Sequence, residues 1–292
     1  MTQADGSVSR PTTFPDGALS GAMRYFLSAL IASSALALAG CETVSTTAPG
    51  AIGVERKQVM WVSEADVEQS ATQAYALEMT KARQAGQLNA NLAQTERVRA
   101  IAGRLIKQTT VFRPDAAGWA WDVNVQENKE LNAYCMPGGK IMVYSGLIEQ
   151  LKLSDAELAT VIGHEMAHAL REHSREAVSR NYAQQLGLGA LGALTGLGQD
   201  TMQLAGMVSN VTFTLPRSRV QESEADRVGL ELMARAGYDP HAALSLWQKM
   251  GQASQNGSPA FLSTHPSSST RLQDLQSLLP RVLPLYEAAA RH

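Results

Sequence analysis

Apolar side chains recur at helical spacing along most of the chain that follows residue 62. The first two stretches predict amphipathic helices over residues 63–85 and 91–109. Their apolar faces comprise Val67, Ala71, Ala74, Leu77, Ala82, Val98, Ile101, Leu105 and Ile106. In residues 119–125 apolar and polar side chains alternate, as in a half-buried strand. The largely apolar residues 140–144 predict a second strand. Pro137, Gly138 and Gly139 between them indicate an irregular edge or a hairpin, so we expect a small sheet of two to four strands.

Helical spacing returns after residue 154 and persists almost to the C-terminus. Ser154 and Glu157 have the spacing of a capping box, which predicts a helix from there to about residue 185. Further helices are predicted over residues 217–236, 240–250 and 269–279, with a short helical tail beyond. The pattern therefore predicts a predominantly helical α+β fold.

The segment 186–206 is rich in Gly, Ala and Leu and interrupts this periodicity. Its longest uncharged apolar run, residues 186–197, is well short of the roughly 20 residues that span a bilayer. We expect a mobile apolar hairpin or loop near the functional site, with a membrane span as the alternative.

The N-terminal residues have the pattern of an export signal. Met23-Arg24 begins a basic segment, residues 25–39 form a short apolar run, and Leu38-Ala39-Gly40-Cys41 resembles a bacterial lipobox. The resemblance implies cleavage before Cys41 and a lipid anchor on its thiol. An ordinary buried helix with a chance Gly-Cys pair is the alternative, and translation starting at Met1 or at Met23 stays open.

These observations predict three regions and a location. Residues 1–40 are expected to be an N-terminal extension and lipoprotein signal peptide, residues 41–62 a lipidated flexible tether, and residues 63–292 a single domain. Because Glu42 rather than Asp follows Cys41, we expect attachment to the outer membrane of a bacterial cell envelope, facing the periplasm.

Composition and charge exclude some functions. Apolar residues make up 45% and charged residues 18%, which is typical of a globular protein. The formal net charge of -2 gives no basic surface, so no nucleic-acid partner is expected. With Cys41 acylated, Cys135 is expected to be a lone thiol.

His164, Glu165 and His168 form the pattern His-Glu-x-x-His on the helix that starts at Ser154. Two histidines four residues apart lie on one helical face, where both imidazoles can reach one tetrahedral metal. Glu165, one position round the helix, can accept a proton from water at that metal. The pattern predicts a zinc site with one ion per chain.

Glu222 is the best candidate for a third ligand, because two histidines and a carboxylate form a catalytic zinc set. Asp226, four residues later on the same face, can orient a ligating imidazole, whereas Glu224 points elsewhere. A solvated acidic helix face is the alternative. The spacing of a third histidine in metzincins is not met, since Ser174 and Arg171 occupy the required positions.

His173 is spaced wrongly to join the two histidines upstream. On a helix that continues to residue 185, its direction is fixed by the helix itself. We therefore expect a solvent-facing histidine.

Several motifs in register resemble the HtpX and CAAX-prenyl-protease-like zinc peptidases. They are Gly163 to His168, Glu222 to Gly229, Ala236 to Pro240, Asn132-Ala133 with Pro137 to Ile141, and Thr264 to Pro266 followed by Arg271. With the lipobox, the chain looks most like periplasmic lipoprotein members of the BepA and LoiP kind. The resemblance implies a zincin-like, gluzincin-type metallopeptidase domain, with a small sheet packed near the active-site helix.

Carried onto this sequence, the resemblance implies zinc ligands at His164, His168 and Glu222. It implies Glu165 as general base and Asp226 as an orienting residue. His265 matches a histidine near the metal, which fills the open position at rest or assists the oxyanion, and Arg271 matches a basic residue of the same cleft.

The expected function is zinc-dependent hydrolysis of peptide bonds in misfolded or misassembled envelope proteins, as part of periplasmic quality control. An extended substrate would pair with a strand edge in the region 132–144. One alternative is a lipoprotein that assists outer-membrane protein assembly, with the outer-membrane assembly machinery as partner and proteolysis secondary or autoinhibited. The other alternative is a purely structural metal site, closed by His265.

Overall fold

Two small sheets and a larger set of helices form the part of the chain that the computed structural model describes, residues 42–188, 201–254, 260–266 and 269–291. The strands are β1 (Glu42–Val44), β2 (Gln58–Met60), β3 (Asp122–Gln126), β4 (Ala133–Met136) and β5 (Lys140–Tyr144). The helices are α1 (Glu64–Gln84), α2 (Leu92–Ile106), α3 (Ser145–Gln150), α4 (Asp155–Leu170), α5 (His173–Leu188), α6 (Thr201–Phe213), α7 (Arg219–Arg235), α8 (Ala242–Ser254), α9 (Ala260–Thr264) and α10 (Ser269–Ala289). Short 3-10 turns occupy Thr109–Val111 and Pro114–Gly118. The predicted α+β, predominantly helical fold is confirmed.

The larger sheet is mixed and has the strand order β3-β5-β4. β3 runs parallel to β5, and β4 runs antiparallel to β5 with Cys135 opposite Ile141. The turn between β4 and β5 contains Gly138 and Gly139, both at positive φ, a conformation that side chains disfavour. The strand order places β4 at one edge of the sheet, where it packs alongside α4.

Helix α4 is the centre of the molecule and is buried along nearly its whole length. It begins at a capping box: Ser154 Oγ accepts a hydrogen bond from the Glu157 N–H at 3.3 Å, and Glu157 Oε2 accepts one from the Ser154 N–H at 2.8 Å. The predicted start of this helix is therefore confirmed. Its apolar side chains pack among those of α2, α7 and α8, so the polar groups that it carries lie within the buried core.

Helices α4 and α7 approach each other most closely where Gly163 faces Gly229. A Cβ atom on Gly229 would lie 2.8 Å from the backbone nitrogen of His164, closer than real Cβ contacts occur. Two glycines at this crossing allow the backbones to touch, and the polar residues one and two turns before Gly229 are thereby brought against α4.

The helix that begins at Ser154 ends earlier than the sequence predicts. α4 stops at Leu170, Glu172 adopts φ 50°, and α5 starts at His173. A residue in this left-handed conformation ends a helix, although glycine is the usual choice and the glutamate gives no sequence signal. The change of direction turns His173 inward, so the prediction of a solvent-facing histidine is wrong.

The segment that follows β1 belongs to the folded domain, which corrects the prediction of a flexible tether over residues 41–62. β1 and β2 pair antiparallel, with Thr43 opposite Val59, and Ile52 is buried in the main core. The side chain of Gln58 donates to the carbonyl of Arg171 at 2.7 Å. The Thr-, Ser- and Ala-rich composition resembles a linker, but tertiary contacts order it.

Two predictions concern residues outside the described ranges. Residues 1–40 and Cys41 belong to the predicted signal peptide and lipidation site, which stay predictions. Of the segment 186–206, residues 189–200 are also outside, whereas Thr201 begins α6. Among the described residues, no helix is long and apolar enough to cross a membrane.

Helix α10 continues through Pro280 and Pro284, where the sequence predicts a break after Leu279. Leu275, Leu278 and Val282 are buried against the core. Burial of three such side chains contributes on the order of 1.5–3 kcal/mol each, which is comparable with a cost of roughly 3 kcal/mol for each of the two helical prolines.

Candidate metal centre

His164 and His168 lie one turn apart on α4, with their Nε2 atoms 3.1 Å from each other. Both side chains are almost fully buried. The two ring nitrogens point toward the same small volume, as the His-Glu-x-x-His spacing predicts.

Glu222 lies in the first turn of α7, which begins at a capping box on Ser218. Its two oxygens lie 3.3 Å from His168 Nε2 and 3.4 Å from His164 Nε2. Burial alone raises the pKa of Glu222, but the neighbouring histidines outweigh burial and hold this pKa well below its usual range. The carboxylate is therefore ionised and available as a ligand.

His265 completes a four-residue cluster, since its Nδ1 lies 3.0 Å from Glu222 Oε1 and 3.3 Å from His164 Nε2. Its backbone N–H donates to the carbonyl of Phe261 at 2.8 Å, and its ring stacks on the Phe261 ring. α9 thus fixes this histidine over the two histidines of α4. The structure brings together all three predicted ligands and the predicted neighbouring histidine.

The spacing of these four donors fits a tetrahedral cation. Ligand atoms of His164, His168, Glu222 and His265 all lie within 4.8 Å of one another. Zinc bonds of about 2.0–2.1 Å in a tetrahedron place neighbouring ligand atoms about 3.3 Å apart. Five of the six pairs have separations of 3.0 to 3.4 Å, close to this value; the sixth pair is His168 with His265. Lone pairs of buried nitrogens and oxygens at such distances repel one another unless a cation or protons lie between them, and the donor set is typical of zinc.

Glu165 projects to the side of this cluster and is buried. Its Oε1 lies 3.4 Å from His265 Nε2 and accepts no hydrogen bond from any residue that the structure describes. A buried carboxylate oxygen without a hydrogen bond costs free energy, so a hydrogen-bond donor such as a water molecule belongs beside it. This is the place that a general base requires.

Asp226 and Arg271 support the cluster from the side of α7 and α10. Asp226 Oδ1 lies 3.1 Å from His164 Nδ1, the ring nitrogen that faces away from the cluster. The Arg271 guanidinium donates to both Asp226 oxygens, at 2.6 Å and 2.7 Å, and lies 2.9 Å from Glu222 Oε2. Arg271 therefore contacts the carboxylates of two residues, the predicted ligand Glu222 and its neighbour Asp226.

His173 and Glu224 are site residues that sequence reasoning missed. His173 is fully buried, and its Nδ1 lies 2.8 Å from His168 Nδ1. Its Nε2 lies 3.0 Å from Glu224 Oε2, so Glu224 points toward the site rather than elsewhere. No periodicity reveals this contact, because it depends on the turn at Glu172 between two helices.

Arg217 is a second residue without a sequence signal. It lies just before α7, is buried, and its backbone N–H donates to Thr264 at 2.8 Å. Burial lowers the pKa of Arg217, while Glu165 and Glu222 oppose this shift. A buried cation beside two functional carboxylates contributes to the charge balance of the site.

Comparison with known proteins defines the class. The model of peptidase family M48 matches residues 92–279, which include all four residues of the cluster. The chain belongs to this family. The predicted zinc metallopeptidase family is thereby confirmed, and so is zinc as the metal.

Individual relatives include enzymes of mitochondria and of bacteria. The chain is 42% identical over 155 residues to the mitochondrial metalloendopeptidase OMA1 of Arabidopsis thaliana, covering 53% of this chain and 30% of the relative. It is 37% identical over 166 residues to OMA1 of Schizosaccharomyces pombe, covering 55% and 47%. It is 29% identical over 171 residues to the beta-barrel assembly-enhancing protease of Escherichia coli, covering 54% and 34%. The chain therefore spans less than half the length of these relatives.

These relatives contradict the predicted localisation. OMA1 proteins that match at 42% and 37% identity are named as mitochondrial enzymes, so a bacterial outer-membrane lipoprotein facing the periplasm is the wrong expectation. That expectation depended on a short apolar run before Cys41 and on Glu42. So few residues carry too little information to outweigh similarity over more than half of the chain.

Proposed function

We propose that this protein is a zinc metalloendopeptidase that hydrolyses peptide bonds in unfolded or misassembled proteins. The observation that supports the proposal most strongly is the buried Glu165 carboxylate beside a convergent set of His164, His168 and Glu222. The set has the composition of a catalytic zinc site with three protein ligands.

The residues divide the chemistry among themselves. Zinc, when bound, lowers the pKa of water and polarises a peptide carbonyl. Glu165 accepts the proton of the attacking water and returns it to the nitrogen of the leaving amine. Asp226, whose Oδ1 lies 3.1 Å from His164 Nδ1, orients this ring so that the Nε2 lone pair faces the metal.

The position of β4 supports an extended substrate. β4 is one of the two edge strands of the larger sheet and lies alongside α4, which carries Glu165. A peptide segment that pairs with a strand edge uses its own backbone hydrogen bonds, so it must be unfolded or flexible over several residues. This is the physical reason to propose unfolded or misassembled clients.

The proposal predicts metal-dependent cleavage of an unfolded protein. Zinc-loaded full-length protein is expected to cleave labelled casein, to lose at least about 95% of this activity after chelation, and to regain it when zinc is added. Release of labelled fragments measures the reaction, and a stably folded protein as substrate is the control. Zinc binding without cleavage of casein at any zinc concentration would contradict the proposal.

A second candidate function is an assembly factor whose proteolysis is silenced at rest. The observation that favours it is His265, which adds a fourth donor to the cluster, so that a tetrahedral metal bound by all four residues would have no open position. A relative named for beta-barrel assembly at 29% identity gives further support. A closed set of four residues is also what a structural metal site requires.

Replacing His265 by alanine distinguishes a gate from a structural ligand. Under the peptidase proposal, His265→Ala retains zinc and cleaves casein faster, because the substrate no longer has to displace the imidazole. The rate rises about tenfold for each 1.4 kcal/mol that this displacement costs in the wild-type protein. Metal content and initial cleavage rates are measured together. His241→Ala, at an exposed histidine paired with Asp239, is the matched control and should change neither quantity. Loss of zinc in His265→Ala alone would instead indicate a structural site.

A further inference from the structure

The second ring nitrogen of His168 is held by another histidine rather than by a carboxylate. His168 Nδ1 lies 2.8 Å from His173 Nδ1, and His173 Nε2 lies 3.0 Å from Glu224 Oε2. Both imidazoles are buried, with 1% and 0% exposure, so water does not take part in either contact. For comparison, the other histidine of α4 faces Asp226 directly, at 3.1 Å.

Only one distribution of protons satisfies these contacts when His168 binds metal. Its Nε2 must offer a lone pair, so the proton of the neutral ring resides on Nδ1. His168 Nδ1–H then donates to His173 Nδ1, which must be unprotonated. His173 carries its own proton on Nε2 and donates it to the Glu224 carboxylate. The two contacts therefore determine the tautomers of both rings.

Glu224 is itself held in one position by two guanidinium groups. Its Oε1 accepts from Arg56 Nε at 2.6 Å, and its Oε2 accepts from Arg56 Nη2 at 3.0 Å and from Arg171 Nη2 at 3.2 Å. Arg56 is also paired with Glu176 in α5. Arg56, in the segment between β1 and β2, is thus connected to His168 through Glu224 and His173.

We propose that His173 and Glu224 are positioning residues, which hold His168 in its metal-binding tautomer and orientation, and that Arg56 fixes this pair from the N-terminal segment. Each histidine of α4 thereby has an anionic partner, direct for His164 and through His173 for His168. The proposal rests on the proposed function, because it requires His168 to bind zinc. A hydrogen-bond partner on the second ring nitrogen of a ligating histidine contributes about 10–100-fold to metal affinity.

A pair of nearly isosteric variants isolates the hydrogen bond from the packing. In His173→Asn the side-chain oxygen can still accept from His168 Nδ1–H, whereas in His173→Leu no acceptor remains. In the full-length protein, competition with a chromophoric chelator measures the zinc dissociation constant. We expect His173→Leu to weaken zinc binding by about 10–100-fold and His173→Asn to weaken it several-fold less.

Glu224→Gln provides a second variant that keeps the volume of the side chain and removes its charge. We expect weaker zinc binding and, in the cobalt-substituted protein, a shifted visible spectrum, because His168 is then free to reorient. Glu231→Gln is the matched control. Glu231 is a buried glutamate of the same helix that accepts hydrogen bonds from Ala51 and Ile52 and does not contact the cluster. This control should lower the unfolding temperature without changing zinc affinity or the cobalt spectrum.

The possible outcomes separate this inference from the proposed function. If the wild-type protein binds no zinc, or if His164→Ala leaves zinc affinity unchanged, the proposed function and the inference both fail. If wild-type binding depends on His164 but His173→Leu and His173→Asn have the same affinity, only the inference fails. If His173→Leu does not fold, Glu224→Gln decides, and a wild-type affinity and cobalt spectrum in that variant would overturn the inference.

Discussion

Replacing Glu165 by glutamine is expected to reduce casein cleavage by about 10²–10⁴-fold while zinc content stays unchanged. The amide is nearly the same size as the carboxylate, so the packing around this buried side chain is kept. It cannot accept a proton from water at neutral pH, and therefore the step assigned to Glu165 is lost. Initial cleavage rates and metal analysis of the purified full-length protein measure the two effects.

The same variant tests the competing assembly function. Glu149→Gln, at an exposed glutamate on α3, is the matched control and should leave both cleavage and zinc content as they are. If Glu165→Gln loses cleavage and cellular function together, the peptidase activity carries the function. A variant that loses cleavage but retains the cellular role would favour the assembly factor, and a variant that still cleaves casein at the wild-type rate would exclude Glu165 as the base.

Replacing Gly229 by alanine is expected to destabilise the protein by about 1–3 kcal/mol and to weaken zinc binding. The new methyl group would lie 2.8 Å from the His164 nitrogen and 2.9 Å from the Gly163 carbonyl carbon, and both are backbone atoms of a buried helix. The helices must move apart, and Glu222 moves with α7. Because metal–ligand distances tolerate only about 0.2 Å, a small displacement is enough to weaken the site. Chemical denaturation and chelator competition measure the two effects.

Gly103→Ala is the matched control for this prediction. Gly103 is also inside a helix, but a Cβ atom there would meet nothing within 4 Å. Its replacement should stabilise α2 by about 0.5–1 kcal/mol, because alanine loses less conformational entropy than glycine. Equal stability and equal zinc affinity in the two alanine variants would show that the crossing of α4 and α7 does not depend on a glycine contact.

Features fixed by local chemistry are correctly predicted from the sequence. Ser154 and Glu157 mark the start of α4 because both hydrogen bonds of a capping box are made within one helical turn. The alternating strand β3 and the strand β5 also occur where the pattern of side chains places them. Glu222 is predicted as a ligand on a chemical argument, because two histidines and a carboxylate form a catalytic zinc set, and the structure places its carboxylate beside both histidines.

Features fixed by contacts between distant segments are not correctly predicted. Residues 42–62 have the composition of a linker, and only their pairing and their hydrogen bonds with Arg171 and Glu231 make them part of the domain. On a single long helix His173 would be a surface residue. The left-handed conformation of Glu172 ends that helix and turns His173 inward.

By itself, the sequence determines the helix that carries His164, Glu165 and His168, and it predicts a carboxylate as the third ligand. Only the tertiary structure decides how the second ring nitrogens are held and how closely His265 approaches. The physical reason is the range of the interactions involved. Helical spacing and caps depend on residues within about four positions of one another. The orientation of an imidazole in a buried cluster depends on side chains that only the crossing of α4 and α7, the turn at Glu172 and the position of α9 bring into contact.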